Sequence, residues 1–168
     1  MSTDFYISSI QPYSGIIIKI CRAYTDTQED FEDYYQEVCL QIWKSRNNFK
    51  GQSEWSTWVY RLSLNVNMTL LKEKKKNRLY TAPDLQVEDV SEEPQTFADE
   101  SLNQLYQGIK QLSEVDRAVI LLYLEEKSYQ EIADIIGTNP NNIGVRIKRI
   151  KERLKKILDG KINWNHME

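Results

Sequence analysis

The chain has 168 residues, room for one ordinary domain or two small ones. Its 40% hydrophobic and 28% charged residues fit a soluble globular protein, and no run has the length and apolarity of a membrane span. The net charge of −3 argues weakly against a nucleic-acid ligand, although the distribution of charge decides more than its sum.

The N-terminus, MSTDFYISS, lacks a basic segment followed by an apolar one, so no secretory signal is expected. Cys21 and Cys39 sit inside apolar helical patterns without metal-ligand spacing. They are expected as small buried side chains of a protein in the reducing cytoplasm. His166 stands alone in a polar tail and is expected in solvent. No metal site and no cofactor are expected.

From Phe5 to about Lys76 the pattern is helical. Ile10, Tyr13, Ile17, Ile18, Cys21 and Tyr24 predict one amphipathic helix, which breaks at Thr25-Asp26-Thr27. A second helix is predicted from about Gln28 to Ser45, with Phe31, Tyr34, Tyr35, Val38, Cys39, Ile42 and Trp43 apolar. From Ala23 to Trp43 every charged residue is acidic. Such a helix does not sit on phosphates; it is either a solvated face or the docking face for a basic protein. Asn47-Asn48 and Gly51-Gln52-Ser53 mark a loop. A third helix is predicted from about Glu54 to Lys76, with Trp55, Trp58, Leu62, Val66 and Leu70 on its core face. It ends in Lys72, Lys74, Lys75, Lys76 and Arg78, which suit either the negative end of the helix dipole or contact with phosphates.

The segment FKGQSEWSTWVYR, Phe49 to Arg61, mixes aromatic rings with cations. That mixture suits unpaired bases, since stacking contributes roughly 1–3 kcal/mol per base while cations follow the backbone. The same tryptophans at three-residue spacing also suit a core. Asn65, further along, is placed either to hydrogen-bond a base edge or to face solvent.

Residues 79–100 read as an acidic linker, with Pro83, Pro94 and no Lys or Arg, too polar to build a core of its own. A second unit of about 60 residues follows, with a small core. Leu102, Leu105, Ile109 and Leu112 predict a helix, and Val115, Ala118, Val119, Leu122 and Tyr123 the next, opened by a capping box from Ser113 and Asp116. Ser128 and Glu131 predict a further capping box; Ile132, Ile135 and Ile136 share one helical face, and Gly137 is a stop signal. Asn139 and Pro140 restart the chain as N-cap and first helical residue. The last helix carries Ile143, Ile147, Ile150, Leu154 and Ile157 on one side. Arg146, Lys148, Arg149, Lys151, Arg153, Lys155 and Lys156 lie on the other. Two helices around a glycine corner, the second basic on its outer side, describe a helix-turn-helix whose second helix enters the DNA major groove. A basic amphipathic helix can also be a solvated surface helix, a partner-binding helix or a membrane-surface helix; the last usually carries Trp, Phe or Leu rather than isoleucine on its apolar side. The fold class is therefore all-α: two small helical domains joined by an acidic linker, the second of four helices ending in a helix-turn-helix. The expected boundaries are 1–78, 79–100 and 101–160, with a tail over 161–168.

Three segments carry a family resemblance. Asp33-Tyr34-Tyr35-Gln36-Glu37 with Trp43 resembles a D-x-x-Q-E segment; Ser56-Thr57-Trp58-Val59-Tyr60-Arg61-Leu62 with Asn65 resembles an S-T-W-L-Y-R-I-A-x-N segment; and Leu112–Gly137 with Asn139–Leu154 resembles a fourth conserved region. In this order and spacing the chain resembles the bacterial RNA polymerase sigma factors of the small, two-domain extracytoplasmic-function (ECF) type of the sigma-70 family. The resemblance implies a non-enzymatic promoter-specificity factor that needs no cofactor. Asp33, Gln36 and Glu37 would dock on the largest subunit of core RNA polymerase. The linker would thread toward the active cleft and RNA exit path of the polymerase, whose largest and second-largest subunits are both expected partners. Phe49, Lys50, Ser53, Trp55, Ser56, Trp58, Arg61, Asn65 and Lys72 would open and hold the −10 element of promoter DNA. Asn141, Asn142, Arg146, Lys148, Arg149 and Arg153 would read the −35 element. An anti-sigma factor would hold the protein inactive. Three positions depart from the family pattern: Gly144 and Val145 stand where relatives often have a basic residue and then Ser, and Ser113 stands for Pro.

Two other classes are open. An autonomous helix-turn-helix repressor or activator would use the last helix but leaves the acidic linker and the aromatic loop unexplained. A recombinase or nuclease needs a nucleophile beside an arginine cluster, or a carboxylate metal site. The scattered acids and the terminal His166 do not supply either.

Overall fold

The computed structural model describes residues 1–80 and 99–159, and the chain divides into two compact units, Met1–Gln95 and Thr96–Glu168. The acidic stretch over 81–98, the tail and His166 lie outside the described residues. Every extended element among the described residues is helical.

The first unit begins with a single turn, α1 (Thr3–Phe5), capped by Ser2, and then two short segments, Tyr6–Ile10 and Gln11–Tyr13. Of these Tyr6–Ile10 is a wide π-helical turn and only Gln11–Tyr13 a tight 3-10 turn, and the regular helix α2 (Ser14–Tyr24) starts after them. The sequence pattern predicted one helix through this region. Pro12 is the physical reason for the difference: it has no N–H to donate, so it opens a new helical segment at Gln11–Tyr13 instead of continuing an old one. Ile16, Ile17, Ile20, Cys21, Ala23 and Tyr24 are buried on α2. Thr27 caps α3 (Gln28–Ser45) by accepting from the Asp30 N–H, and Tyr34, Val38, Cys39 and Ile42 form its buried seam. Neither cysteine forms a disulfide.

The long helix α4 (Trp55–Tyr80) packs against both α2 and α3. Its buried residues are Val59, Tyr60, Ser63, Leu64 and Asn67. The expected core line of Trp55, Trp58, Leu62, Val66 and Leu70 is rotated away and only half-buried. Two polar residues disguise the true seam. Ser63 Oγ donates to the Val59 carbonyl, and Asn67 Nδ2 donates to the Ser63 carbonyl and Cys21 Sγ. Bonds within α4 thus satisfy the Ser63 hydroxyl and the Asn67 amide nitrogen, polar groups that hydropathy assigns to the surface, while Asn67 Oδ1 is buried without a hydrogen-bond partner. Lys74 of α4 bonds Asp30 of α3, tying the two helices together with one member of the C-terminal lysine cluster.

The second unit contains α5 (Glu100–Ile109), α6 (Glu114–Leu124), α7 (Tyr129–Ile136) and α8 (Pro140–Ile157). Helices α6, α7 and α8 pack against one another, and α5 packs on α8. Ile132 and Ile135 of α7 meet a core built from α6 and from Ile143, Ile147, Ile150 and Leu154 of α8. Arg117, buried at the start of α6, donates to the Leu112 and Lys110 carbonyls and so satisfies acceptors left free beyond α5.

Candidate nucleic-acid and polymerase interfaces

The helix-turn-helix is assembled as its sequence predicts. Ser128 Oγ accepts from the Glu131 N–H at 3.1 Å, and the Glu131 carboxylate accepts from the Ser128 N–H at 2.9 Å. Gly137 takes φ +90° and ψ 42°, a left-handed conformation that a Cβ would strain. Asn139 Oδ1 accepts from the Asn142 N–H at 2.9 Å, with Pro140 at the first helical position.

On the outer side of α8, Asn142, Val145, Arg146, Arg149 and Arg153 recur at three- and four-residue spacing. Two adjoining clefts run along this stripe. One is lined by Asp116, Arg146, Arg149, Ile150 and Arg153, the other by Val115, Ile136, Thr138, Asn142, Val145, Arg146 and Arg149. Asn141, Lys148 and Arg149 are exposed. Other cations on this helix are committed within the unit. Arg153 donates to the Gln111 carbonyl, and Lys151 bonds Tyr123 Oη at 2.7 Å and lies over its ring. Arg146 Nη1 bonds Asp116 Oδ1 at 2.6 Å. That last contact corrects the capping box expected at Ser113. Ser113 Oγ does accept from the Asp116 N–H at 3.2 Å, but the Asp116 carboxylate reaches across to α8 instead of returning to Ser113.

Val145 was not foreseen as part of this face, yet it is 56% exposed on it. Gly144 faces the Tyr129 ring of α7, where an added Cβ would stand 3.4 Å from the nearest ring carbon.

In the first unit, Phe49, Trp55 and Trp58 come together. Trp55 and Trp58 stack with centroids 4.9 Å apart, and Phe49 lies 5.1 Å from Trp55 and 5.7 Å from Trp58. Phe5 joins edge-on to Trp55, and Trp55 Nε1 donates to the Ser9 carbonyl at 2.8 Å. Trp55 therefore anchors the N-terminal turns as well as the aromatic group. Lys50 is exposed; Ser53, Ser56 and Arg61 are half-buried around the start of α4. Asn65 and Lys72 are exposed further along the helix.

Asp33, Gln36, Glu37 and Leu40 occupy one outward strip of α3, with Leu40 38% exposed. Glu37 accepts from Gln41 Nε2 at 2.8 Å. Both line a groove with Asn65, Val66, Thr69, Leu70 and Glu73 of α4. The structure thus brings Glu37 and Asn65 to one groove, although the sequence reading gave them different partners. Among the described residues no group of His, Cys, Asp or Glu side chains is arranged to hold a metal ion, and no helix is long and apolar enough to cross a membrane.

Residues 10–77 match the family model for Sigma-70 region 2, and residues 102–154 match that for Sigma-70, region 4. The chain belongs to the sigma-70 family. Its relatives place it with the ECF sigma factors. It is 26% identical to the ECF RNA polymerase sigma factor SigW of Bacillus subtilis over 92% of this chain and 89% of that protein. It is 29% identical to the RNA polymerase sigma-H factor of Pseudomonas aeruginosa, over 86% of this chain and 79% of that one. It is 28% identical to SigG of Mycobacterium tuberculosis over 88% of this chain, which spans about half, 47%, of that longer protein. The fold is similar to that of the sigma factor RpoE solved in complex with the anti-sigma factor NepR from Bartonella quintana. There the TM-score is 0.71 at 19% identity, covering 96% of this chain and 100% of that one. It is also similar to CnrH solved with the cytosolic domain of CnrY, with a TM-score of 0.69 at 17% identity, covering 96% and 92%. A sigma factor acts in transcription initiation, and that is the general role of this ECF sigma-70 chain.

Proposed function

We propose that this sigma factor binds core RNA polymerase, reads the −10 and −35 elements of its promoters and helps open the duplex between them. The observation that carries the reading is the division of chemistry between two separate helical units. One has an acidic outer strip at Asp33, Gln36 and Glu37 beside an aromatic and cationic helix start. The other has a capped helix-turn-helix with Arg149 and Lys148 exposed on its second helix. In this reading the strip on α3 docks on the polymerase. The Phe49–Arg61 segment and Asn65 meet the separated −10 strand, with Lys72 following its phosphates. On α8, Arg149 reads base edges, Val145 offers an apolar contact of the kind a thymine methyl accepts, and Lys148 meets phosphate. The similar RpoE was captured with the anti-sigma factor NepR, which supports an anti-sigma factor as regulator of this chain too.

The test is reconstitution. Purified protein and core polymerase should start transcription at discrete sites on promoter DNA that core alone ignores. Arg149→Ala should reduce initiation at −35-dependent promoters roughly tenfold while leaving core-polymerase affinity unchanged. Glu37→Ala should weaken core-polymerase affinity instead. An autonomous repressor would bind duplex DNA tightly without polymerase, and the same two variants would then not separate.

A further inference from the structure

Arg146 is the most N-terminal cation of α8, and the two residues just before it, Gly144 and Val145, carry no polar side chain. Its guanidinium is held through Nη1 by Asp116, a residue of α6 thirty positions earlier in the chain. Both side chains are partly exposed, at 38% and 24%, and both line the cleft that Arg149 and Arg153 complete. Asp116 has a local use that it forgoes: its backbone N–H is capped by Ser113, but its carboxylate does not return the bond.

We infer that Asp116 is a positioning residue that sets the specificity of Arg146 for DNA. The inference rests on the reading of α8 as the −35 helix. A guanidinium held at Nη1 keeps its Nε–Nη2 edge for two acceptors at once, the arrangement that O6 and N7 of guanine present in the major groove. The carboxylate also offsets the charge of Arg146, so this arginine gains little from any phosphate it happens to meet. Asp116 therefore withholds Arg146 from non-specific backbone contact and commits it to a base edge. An isolated surface ion pair contributes little to stability; its value here is in discrimination.

The experiment uses the reconstituted holoenzyme. It measures binding to two promoter duplexes that differ only in a matched or a scrambled −35 segment, over a range of salt concentrations. Asp116→Asn keeps the shape of the side chain and removes the charge. It should raise affinity for the scrambled duplex, steepen its log–log salt slope by about 1, and lower the matched-to-scrambled ratio roughly tenfold. Asp116→Glu should restore most of the ratio. On an Arg146→Ala background, Asp116→Asn should change nothing further. A merely structural role for Asp116 at the start of α6 has the opposite sign: affinity for both duplexes would fall together. That result, or no change at all, overturns the inference while leaving the −35 reading of α8 intact. If the wild-type holoenzyme fails to distinguish the two duplexes, the −35 reading itself fails and the inference with it.

Discussion

Gly144 lies inside α8, against the Tyr129 ring. Glycine inside a helix costs about 1 kcal/mol relative to alanine, and nothing in the backbone of α8 demands it. A Cβ there would meet the Tyr129 ring at 3.4 Å, an ordinary van der Waals separation. Gly144→Ala should therefore stabilise the second unit by up to about 1 kcal/mol, read as an increase in denaturant midpoint. If glycine is kept for close approach to DNA, the same variant should weaken −35-dependent initiation while the fold becomes more stable. A variant that is both less stable and less active would show that Tyr129 cannot yield and that packing fixes this position. The residues flanking Gly144 differ in how readable they were. Arg149 could be placed on the outer face from helical spacing alone. The Asp116–Arg146 pair could not, because thirty residues separate its members and the local capping pattern offered Asp116 a nearer partner.

At the scale of elements, legibility followed the strength of local signals. The turn between α7 and α8 was readable residue by residue because each of its devices is satisfied within four positions: the Ser128–Glu131 box, the left-handed Gly137, and the Asn139 cap with Pro140. Ser128→Ala removes the acceptor for the Glu131 N–H and should cost about 1 kcal/mol, lowering the unfolding midpoint of the second unit and leaving the first unchanged. Equal loss in both units would mean that they do not unfold separately. Long elements with mixed faces were less legible. On α4 the apolar line Trp55, Trp58, Leu62, Val66 and Leu70 competes with the seam Val59, Tyr60, Ser63, Leu64 and Asn67. Hydropathy favours the first. The second is the buried one: Ser63 and Asn67 donate to carbonyls within α4, and Val66 and Leu70 of the first line remain half-buried along the groove that also holds Glu37. The aromatic cluster of Phe49, Trp55 and Trp58 was visible as composition, but the bond from Trp55 to the Ser9 carbonyl joins residues 46 apart and left no local trace.

At the scale of the whole molecule, the first unit carries four buried or half-buried groups that respond to alkali. Both cysteines of the chain are in the first unit. Burial pushes the Cys21 thiol from its ordinary 9.0 to about 12 and the Cys39 thiol to about 11. Burial, helped by the nearby Asp30 and Asp26 carboxylates, raises the Tyr34 phenol to about 12, and burial also raises the Tyr35 phenol, whose hydroxyl meets Tyr6. Each of these groups keeps its proton in the folded chain at a pH where the unfolded chain has released it. Their contribution is whole below pH 9 and is lost as pH climbs through the folded values, with a limiting slope of about 1.4 kcal/mol per pH unit for each group. The thiols act first, because the phenols have an ordinary value of 10.0. The urea midpoint of the first unit should therefore fall between pH 9 and 10, and joint Cys21→Ala and Cys39→Ala replacement should flatten that interval while leaving the fall above it. Three of the four tryptophans, Trp43, Trp55 and Trp58, are in this unit and Trp164 is in the second, so fluorescence of a Trp164→Phe variant reports the first unit, whereas far-ultraviolet circular dichroism follows the helices of both. The two signals should coincide at neutral pH only if the units unfold together, and should part above pH 9 as the first unit weakens. A cysteine-free variant with an unchanged profile from pH 9 to 10 would show that the buried thiols do not govern the alkaline limit of this unit.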